Sequence, residues 1–231
     1  MKILVADDNG KISLSVIRAF PKDYIVHVFS DKKNTLCSYS NFCTKFHILP
    51  SFTNKNFNKK FLKLLKVENY DLIIPVNFNS FFYLSKLKKK INSLSNILIE
   101  IHEKIKKAAS KIETYKLAKK INVKHPKTIE LKKEENLKKL LKGFKYPLVI
   151  KPKFEQGKSL VYYANNFEQL RLILKKIKLK HTNIKIENFL IQEKINGQGC
   201  GYFALRYKNK ILLRFQHLRK RELPITGGKS V

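Results

Sequence analysis

A chain of 231 residues with 43% hydrophobic side chains can bury a real core, as one large or two small domains. Its three cysteines exclude a disulfide scaffold, and no apolar run approaches the ~20 residues of a membrane span, so a cytoplasmic protein is expected. The net charge of +32 invites a nucleic-acid or anionic-surface partner, but only Arg18, Arg171, Arg206, Arg214, Arg219 and Arg221 supply the bidentate chemistry of specific phosphate or base recognition. The lysines are spread along the whole chain beside abundant Asn, Ile, Phe and Tyr. That is the pattern of a compositional bias laid over an ordinary fold, and a lysine-rich nucleic-acid-binding protein stays as the competing reading.

In chain order, KILVA (2–6) predicts a strand opening into the turn Asp7-Asp8-Asn9-Gly10. The chain enters this strand at once, so no leader segment is expected. Ile12, Val16, Ile17 and Phe20 recur at helical spacing, and YIVHVF (24–29) predicts a second strand. FHIL (46–49) and LIIPV (72–76) predict two more, with a helix between them carrying Phe57, Phe61, Leu64 and Leu65 on one face. Strand, helix, strand at this pitch predicts a parallel sheet with right-handed crossovers. Cys37, Cys43 and His47 lie close in sequence but match no standard zinc spacing, and no metal ligand is assigned.

The turn at 7–10 is a candidate contact loop, because ligands of such sheets sit beyond the carboxyl ends of the strands. It is not a dinucleotide fingerprint, and a turn capping the following helix is the simpler reading. A long helix is predicted over 103–121, with the domain boundary at 102/103. From Thr128 the pattern becomes α+β: helix 132–142, strands 146–151 and 160–163, helix 166–177, then strands 186–195, 200–207 and 211–216. Seven of the eight glycines lie at or after Gly143, which concentrates the sharp turns and close backbone approaches in this last third.

The candidate chemistry sits there too. Lys151 ends the apolar strand YPLVI, where an ammonium can be held at fixed range from a phosphate; a lysine snorkelling from a strand end is the simpler alternative. Gly157-Lys158-Ser159 and Gly228-Lys229-Ser230 look like Walker A endings. Pro152 and Leu223 stand where that loop needs its first glycine, so neither is a P-loop. A hairpin loop using Gly157 and the Ser159 hydroxyl over a phosphate is the remaining option. Gln192-Glu193-Lys194-Ile195 is an extended segment able to offer backbone groups to an adenine edge, though a solvated strand end is the simpler reading. Arg219 and Arg221 before the Gly227-Gly228 turn suit carboxylate or acyl-phosphate binding, with a basic strand and hairpin as the alternative.

Taken in order, ILVADDNGKISLSVIRAF, IIPV, SKIETYKLAKKINVKHPKT, YPLVIKP, LIQEKINGQGCG and TGGKSV resemble the ATP-grasp superfamily, in particular carboxylate–amine ligases related to the ATP-binding part of carbamoyl-phosphate synthase. The resemblance implies an α/β fold: a Rossmann-like pre-ATP-grasp domain with a parallel sheet (1–102), then an incomplete α+β ATP-grasp domain (103–231). It implies ATP as cofactor, with phosphate contacts from Lys111 and Lys151, the adenine hinge at Gln192, Glu193, Lys194 and Ile195, and Gln198 at the ribose, where many relatives carry glutamate. Ser110 stands where relatives usually have aspartate. The implied reaction activates a carboxylate as an acyl phosphate for attack by an amine, with Arg219 or Arg221 on the substrate carboxylate. The Mg²⁺ ligands of the family are expected downstream of the TGGKSV turn. This chain alone is therefore expected to be inactive: a fragment completed by a continuation, one half of a split pair completed by a complementary chain, or a degenerate relative.

Overall fold

The computed structural model describes residues 1–6, 10–132, 136–154, 160–180, 185–223 and 229–230. Cα packing divides it into two units, Met1–Ser110 and Lys111–Val231.

The first unit is built on apolar runs that alternate with helices. Strands β1 (Lys2–Ala6), β2 (Ile25–Ser30), β3 (Lys45–Ile48), β4 (Leu72–Pro75) and β5 (Asn96–Ile97) form one sheet in the order β3-β2-β1-β4-β5, parallel throughout. The period of two splits each strand between two cores. Ile3, Val5, Val26 and Val28 pack with Ile17 of helix α1 (Lys11–Arg18) on one face. Leu4, Ala6, Phe29 and Ile73 pack on the other with Phe57, Phe61 and Leu65 of α2 (Phe57–Glu68). That face is completed by Leu84 of α3 (Phe78–Lys86) and Ile91 of α4 (Lys88–Asn92). The parallel α/β sheet expected from the strand pattern is present, while α3, α4 and β5 were not foreseen. The α3 start is a capping box in which Asn77 accepts from the Ser80 N–H and Ser80 reaches back to the Asn77 N–H.

The amino-terminal side of this sheet holds a polar cluster. His27 of β2 and His47 of β3 meet Tyr70 just beyond the left-handed Asn69 cap that ends α2. Burial, then the neighbouring His47, lowers the His27 pKa to about 4, so the ring is neutral at ordinary pH. Hydrogen bonds from Lys2 and Lys45 hold the neighbouring Glu68 carboxyl well below its usual range.

The helix predicted over 103–121 is two helices, α5 (His102–Ala109) and α6 (Lys111–Lys120). Ser110 between them is extended and buried, and the next N–H, from Lys111, bonds the Lys153 carbonyl across the second unit. That long-range bond, invisible to local periodicity, interrupts the helix. Of the helix predicted over 132–142, residues 133–135 lie outside the described residues; the rest shows α7 (Leu137–Leu140), entered through Asn136, whose side chain accepts from the Lys139 N–H.

In the second unit, β6 (Thr128–Glu130), β7 (Leu148–Pro152), β8 (Tyr162–Ala164) and β9 (Phe189–Glu193) form an antiparallel sheet in the order β6-β9-β7-β8. The strand predicted over 186–195 is therefore shorter, because 186–188 is a single 3₁₀ turn. Leu148, Ile150, Phe189 and Ile191 pack beneath α8 (Phe167–Lys180) through Leu170, Leu174 and Ile177. The hairpin β10 (Cys200–Tyr207) and β11 (Lys210–Leu218) turns at Lys208-Asn209, both at positive φ, as a two-residue hairpin requires. A short pair, β12 (Glu222–Leu223) and β13 (Lys229–Ser230), follows.

The two classes of apolar side chain predict different mutational costs. Phe61→Ala, in a fully buried site, should lower stability by about 3–5 kcal/mol in urea denaturation. Phe215→Ala on the exposed hairpin should stay within about 0.5 kcal/mol.

Candidate functional site

Strand alternation sets the chemistry of the second sheet. Its α8-facing side is apolar, so the opposite side receives Thr128 of β6, Val149 and Lys151 of β7, and Gln192 of β9. Lys151 Nζ donates to the Gln192 Oε1 at 2.8 Å and to the Tyr115 hydroxyl of α6 at 3.0 Å. Gln192 Nε2 in turn donates to Thr128 Oγ1 at 2.8 Å. The ammonium also lies over the Tyr115 ring, 5.7 Å from its centroid. Gln192 is only 5% exposed, so the amide is an internal brace for the lysine and not a solvent contact.

One strand further, Lys153 Nζ donates to Glu130 Oε2 at 2.8 Å, and this hydrogen bond is what lowers the Glu130 pKa from its ordinary value. The Lys153 carbonyl accepts from the Lys111 N–H, so the start of α6 is fastened two residues from Lys151. Ile112, Tyr115, Lys119, His125, Thr128 and Glu130 line a cavity of about 370 Å³ beside this network.

At the 192–195 segment the backbone donors are unequally used. The Glu193 N–H bonds the Lys127 carbonyl and the Lys194 N–H bonds the Pro147 carbonyl. Among the described residues the Ile195 N–H has no partner, and the Ile195 side chain is exposed. The Glu193 carboxylate accepts from the Lys145 N–H at 2.9 Å, which fixes the strand end. Gln198 is exposed, and the Arg219 N–H bonds the adjacent Gly199 carbonyl at 2.7 Å, so these two segments meet at the base of the hairpin. Arg219 and Arg221 are exposed. Gly157 and Ser159 lie outside the described residues, as does the 7–9 turn of the first unit.

The structure thus brings Lys151 together with Gln192 and ties the Lys111 backbone to the same strand end. Two participants went unassigned in the sequence reading. Tyr115 falls inside the helix predicted over 103–121, and Thr128 lies where the pattern changes to α+β; neither carries a local sign that its hydroxyl completes a lysine site. The first unit has its own cavity of about 370 Å³ at the carboxyl ends of β2 and β3, lined by Ser30, Asp31, Pro50, Phe52, Asn79 and Tyr83.

No family model matches the sequence, and no curated protein matches it. Solved structures match the fold. N5-carboxyaminoimidazole synthetase from Staphylococcus aureus, complexed with ADP, superposes with a TM-score of 0.71 at 16% identity, over 95% of this chain and 55% of its own. L-amino acid ligase from Bacillus licheniformis gives 0.65 at 15% identity, over 94% and 49%. The D-alanine–D-alanine ligase from Bacillus anthracis gives 0.57 at 15% identity, over 98% and 74%. These neighbours are ATP-grasp carboxylate–amine ligases, and at such identities the likeness is one of fold. The chain spans about half the length of the first two. The α/β architecture, a parallel sheet followed by a unit with an antiparallel sheet, is shared with these structures.

The lysine network makes a quantitative prediction. Gln192→Leu should cost about 1–3 kcal/mol by stranding the Lys151 ammonium and the Thr128 hydroxyl. Adding Lys151→Met should recover part of that loss, a coupling of about 0.5–3 kcal/mol in a double-mutant cycle. Strict additivity would mean the two side chains do not interact.

Proposed function

We propose that this chain is the nucleotide-binding part of an ATP-dependent carboxylate–amine ligase, of the carbamoyl-phosphate-synthase-like kind. The observation that carries the reading is the braced Lys151. A strand-tip lysine oriented by an amide and a phenol is a preorganised cation, and its partners are neutral groups that do not cancel its charge. A nucleotide fits the donor set on this face. Lys151 and Lys111 would take phosphate oxygens, Gly157 and Ser159 would cover them, and the Ile195 N–H with the Glu193 carbonyl would meet the adenine edge. Gln198 would hold the ribose, with Gln192 and Lys194 completing the hinge.

ATP supplies the phosphoryl group that turns a carboxylate into an acyl phosphate, which an amine then attacks. The contribution of this chain is binding and orientation. Arg219 and Arg221 would hold the carboxylate, and the cavity at the carboxyl ends of β2 and β3 is a second place for a small substrate. Mg²⁺ does not fit the described residues here. The acidic groups near the network are already engaged, Glu130 with Lys153 and Glu193 with the Lys145 N–H. Among the described residues, no cluster of three candidate ligands lies in the second unit. In this reading the metal would be held by residues corresponding to the remaining length of the structural relatives.

The hairpin supports an incomplete unit. On one face Phe203, Leu205, Leu213 and Phe215 align with His217, each of the four apolar groups more than half exposed. The other face carries Tyr202, Ala204, Arg214 and Gln216. Such alternation belongs to a strand pair with one face buried, and among the described residues no sheet pairs with it. Its natural cover is the polypeptide corresponding to the other half of the structural relatives, joined to this chain or separate from it.

Two measurements follow. ATP should raise the melting temperature of the chain, because a ligand that binds only the folded state adds stability, and Lys151→Ala should remove the shift while leaving the circular dichroism spectrum unchanged. An unchanged shift in that variant would sink the site, and retention on nucleic acid with a steep salt slope would favour the competing reading. Leu213→Asp with Phe215→Asp should abolish association with a complementary half without lowering the stability of the chain. Unaltered association would remove the hairpin from the account.

A further inference from the structure

We propose that His27, His47 and Glu68 form a binding site for a divalent transition-metal ion, zinc by preference, that clamps the amino-terminal side of the first sheet. Cys37, Cys43 and His47 lie close in sequence but match no zinc spacing. The fold instead carries His47 to His27 on the neighbouring strand and to Glu68 at the end of α2. These three form the one cluster of candidate metal ligands among the described residues.

The geometry is close to what the ion needs. Ligand atoms ~2.0–2.1 Å from zinc at tetrahedral angles lie about 3.3 Å apart. Here His27 Nδ1 and His47 Nε2 are 3.1 Å apart, and the Glu68 oxygens lie 3.8 Å from His27 Nδ1 and 3.9 Å from His47 Nε2. The Tyr70 hydroxyl is 2.8 Å from the first nitrogen and 3.1 Å from the second, so it or a water completes a fourth position. Two imidazoles with one carboxylate suit zinc, nickel or copper, whereas calcium and magnesium prefer all-oxygen shells. Without an ion, the two nitrogens and the phenol oxygen converge so closely that they must share protons. A cation replacing those protons satisfies the lone pairs together.

Two ammonium groups compete for the carboxylate. Lys2 Nζ holds Glu68 Oε2 at 2.7 Å and Lys45 Nζ holds Oε1 at 2.6 Å. Lys45 is 55% exposed against 26% for Lys2, and it caps the oxygen nearer His47. Lys45 is thus the group that withdraws to solvent when the ion takes Oε1. Within the first unit the site lies at the strand ends opposite those lined by Ser30 and Asp31.

The test is titration of the whole chain with Zn²⁺ and with Co²⁺ as a spectroscopic probe, read by calorimetry, thermal shift and visible absorption. The expected result is one ion bound with a rise in melting temperature and a tetrahedral cobalt spectrum lacking a sulfur-to-metal band. Glu68→Gln and His47→Asn, each checked for folding by circular dichroism, should weaken binding at least about tenfold. Lys45→Gln should strengthen it several-fold by removing the competitor, an effect that chance binding elsewhere would not show. No zinc-dependent stabilisation, a sulfur-to-cobalt band placing the ion on the cysteines, or equal affinity in the folded His47→Asn protein would each overturn the proposal.

Discussion

A lysine ammonium can stand on the face of a sheet only if its charge is met there, and that requirement organises the second unit. Lys151 leaves β7 on the side away from α8, and its charge is met by one amide oxygen and one phenol oxygen. Serving it needs β6 beside β9, to place Thr128 under Gln192, and α6 close enough for Tyr115 to arrive. The backbone bond from Lys111 to Lys153 fixes that helix at the same strand end. Because the partners are neutral, the positive charge is oriented and still available to an anion. Had a carboxylate taken this place, as Glu130 does for Lys153, the ammonium would be neutralised before any phosphate arrived.

The heavy lysine content elsewhere does different work. Lys59, Lys60, Lys63 and Lys66, for example, lie exposed on α2, whose inner face is Phe57, Phe61 and Leu65, so the high charge is compatible with an ordinary core. Isolated ion pairs such as Lys116–Glu113 and Arg171–Glu168 are exposed and contribute little. The amino-terminal cluster differs, since Glu68 collects two lysines and stands beside two imidazoles.

How much of this was legible in the sequence depends on the range of the interaction. The parallel strands of the first unit announce themselves through short apolar runs, and Phe57, Phe61 and Leu65 mark the face of α2 by local spacing alone. The break at Ser110 was not legible, because helical periodicity runs through it and the competing bond comes from Lys153. Lys151 was legible as the tip of an apolar strand. Its brace was not, since Tyr115 and Gln192 lie 36 and 41 residues away and Thr128 lies 64 residues from Gln192. The same holds for His27 and His47, which the β2–β3 register brings together from 20 residues apart. The α3 helix carried a local sign, the Asn77–Ser80 capping pair, but its run of aromatics and serines reads poorly as a helix.

The central claim is that the braced lysine and the free hinge donor belong to one nucleotide site. A crystal structure of the chain grown with ADP tests it most directly. The account predicts the adenine edge against the backbone of Glu193 and Ile195, with a phosphate oxygen taken up by the Lys151 ammonium. It would be contradicted by ADP bound elsewhere on the chain, with Lys151 still held only by Gln192 and Tyr115.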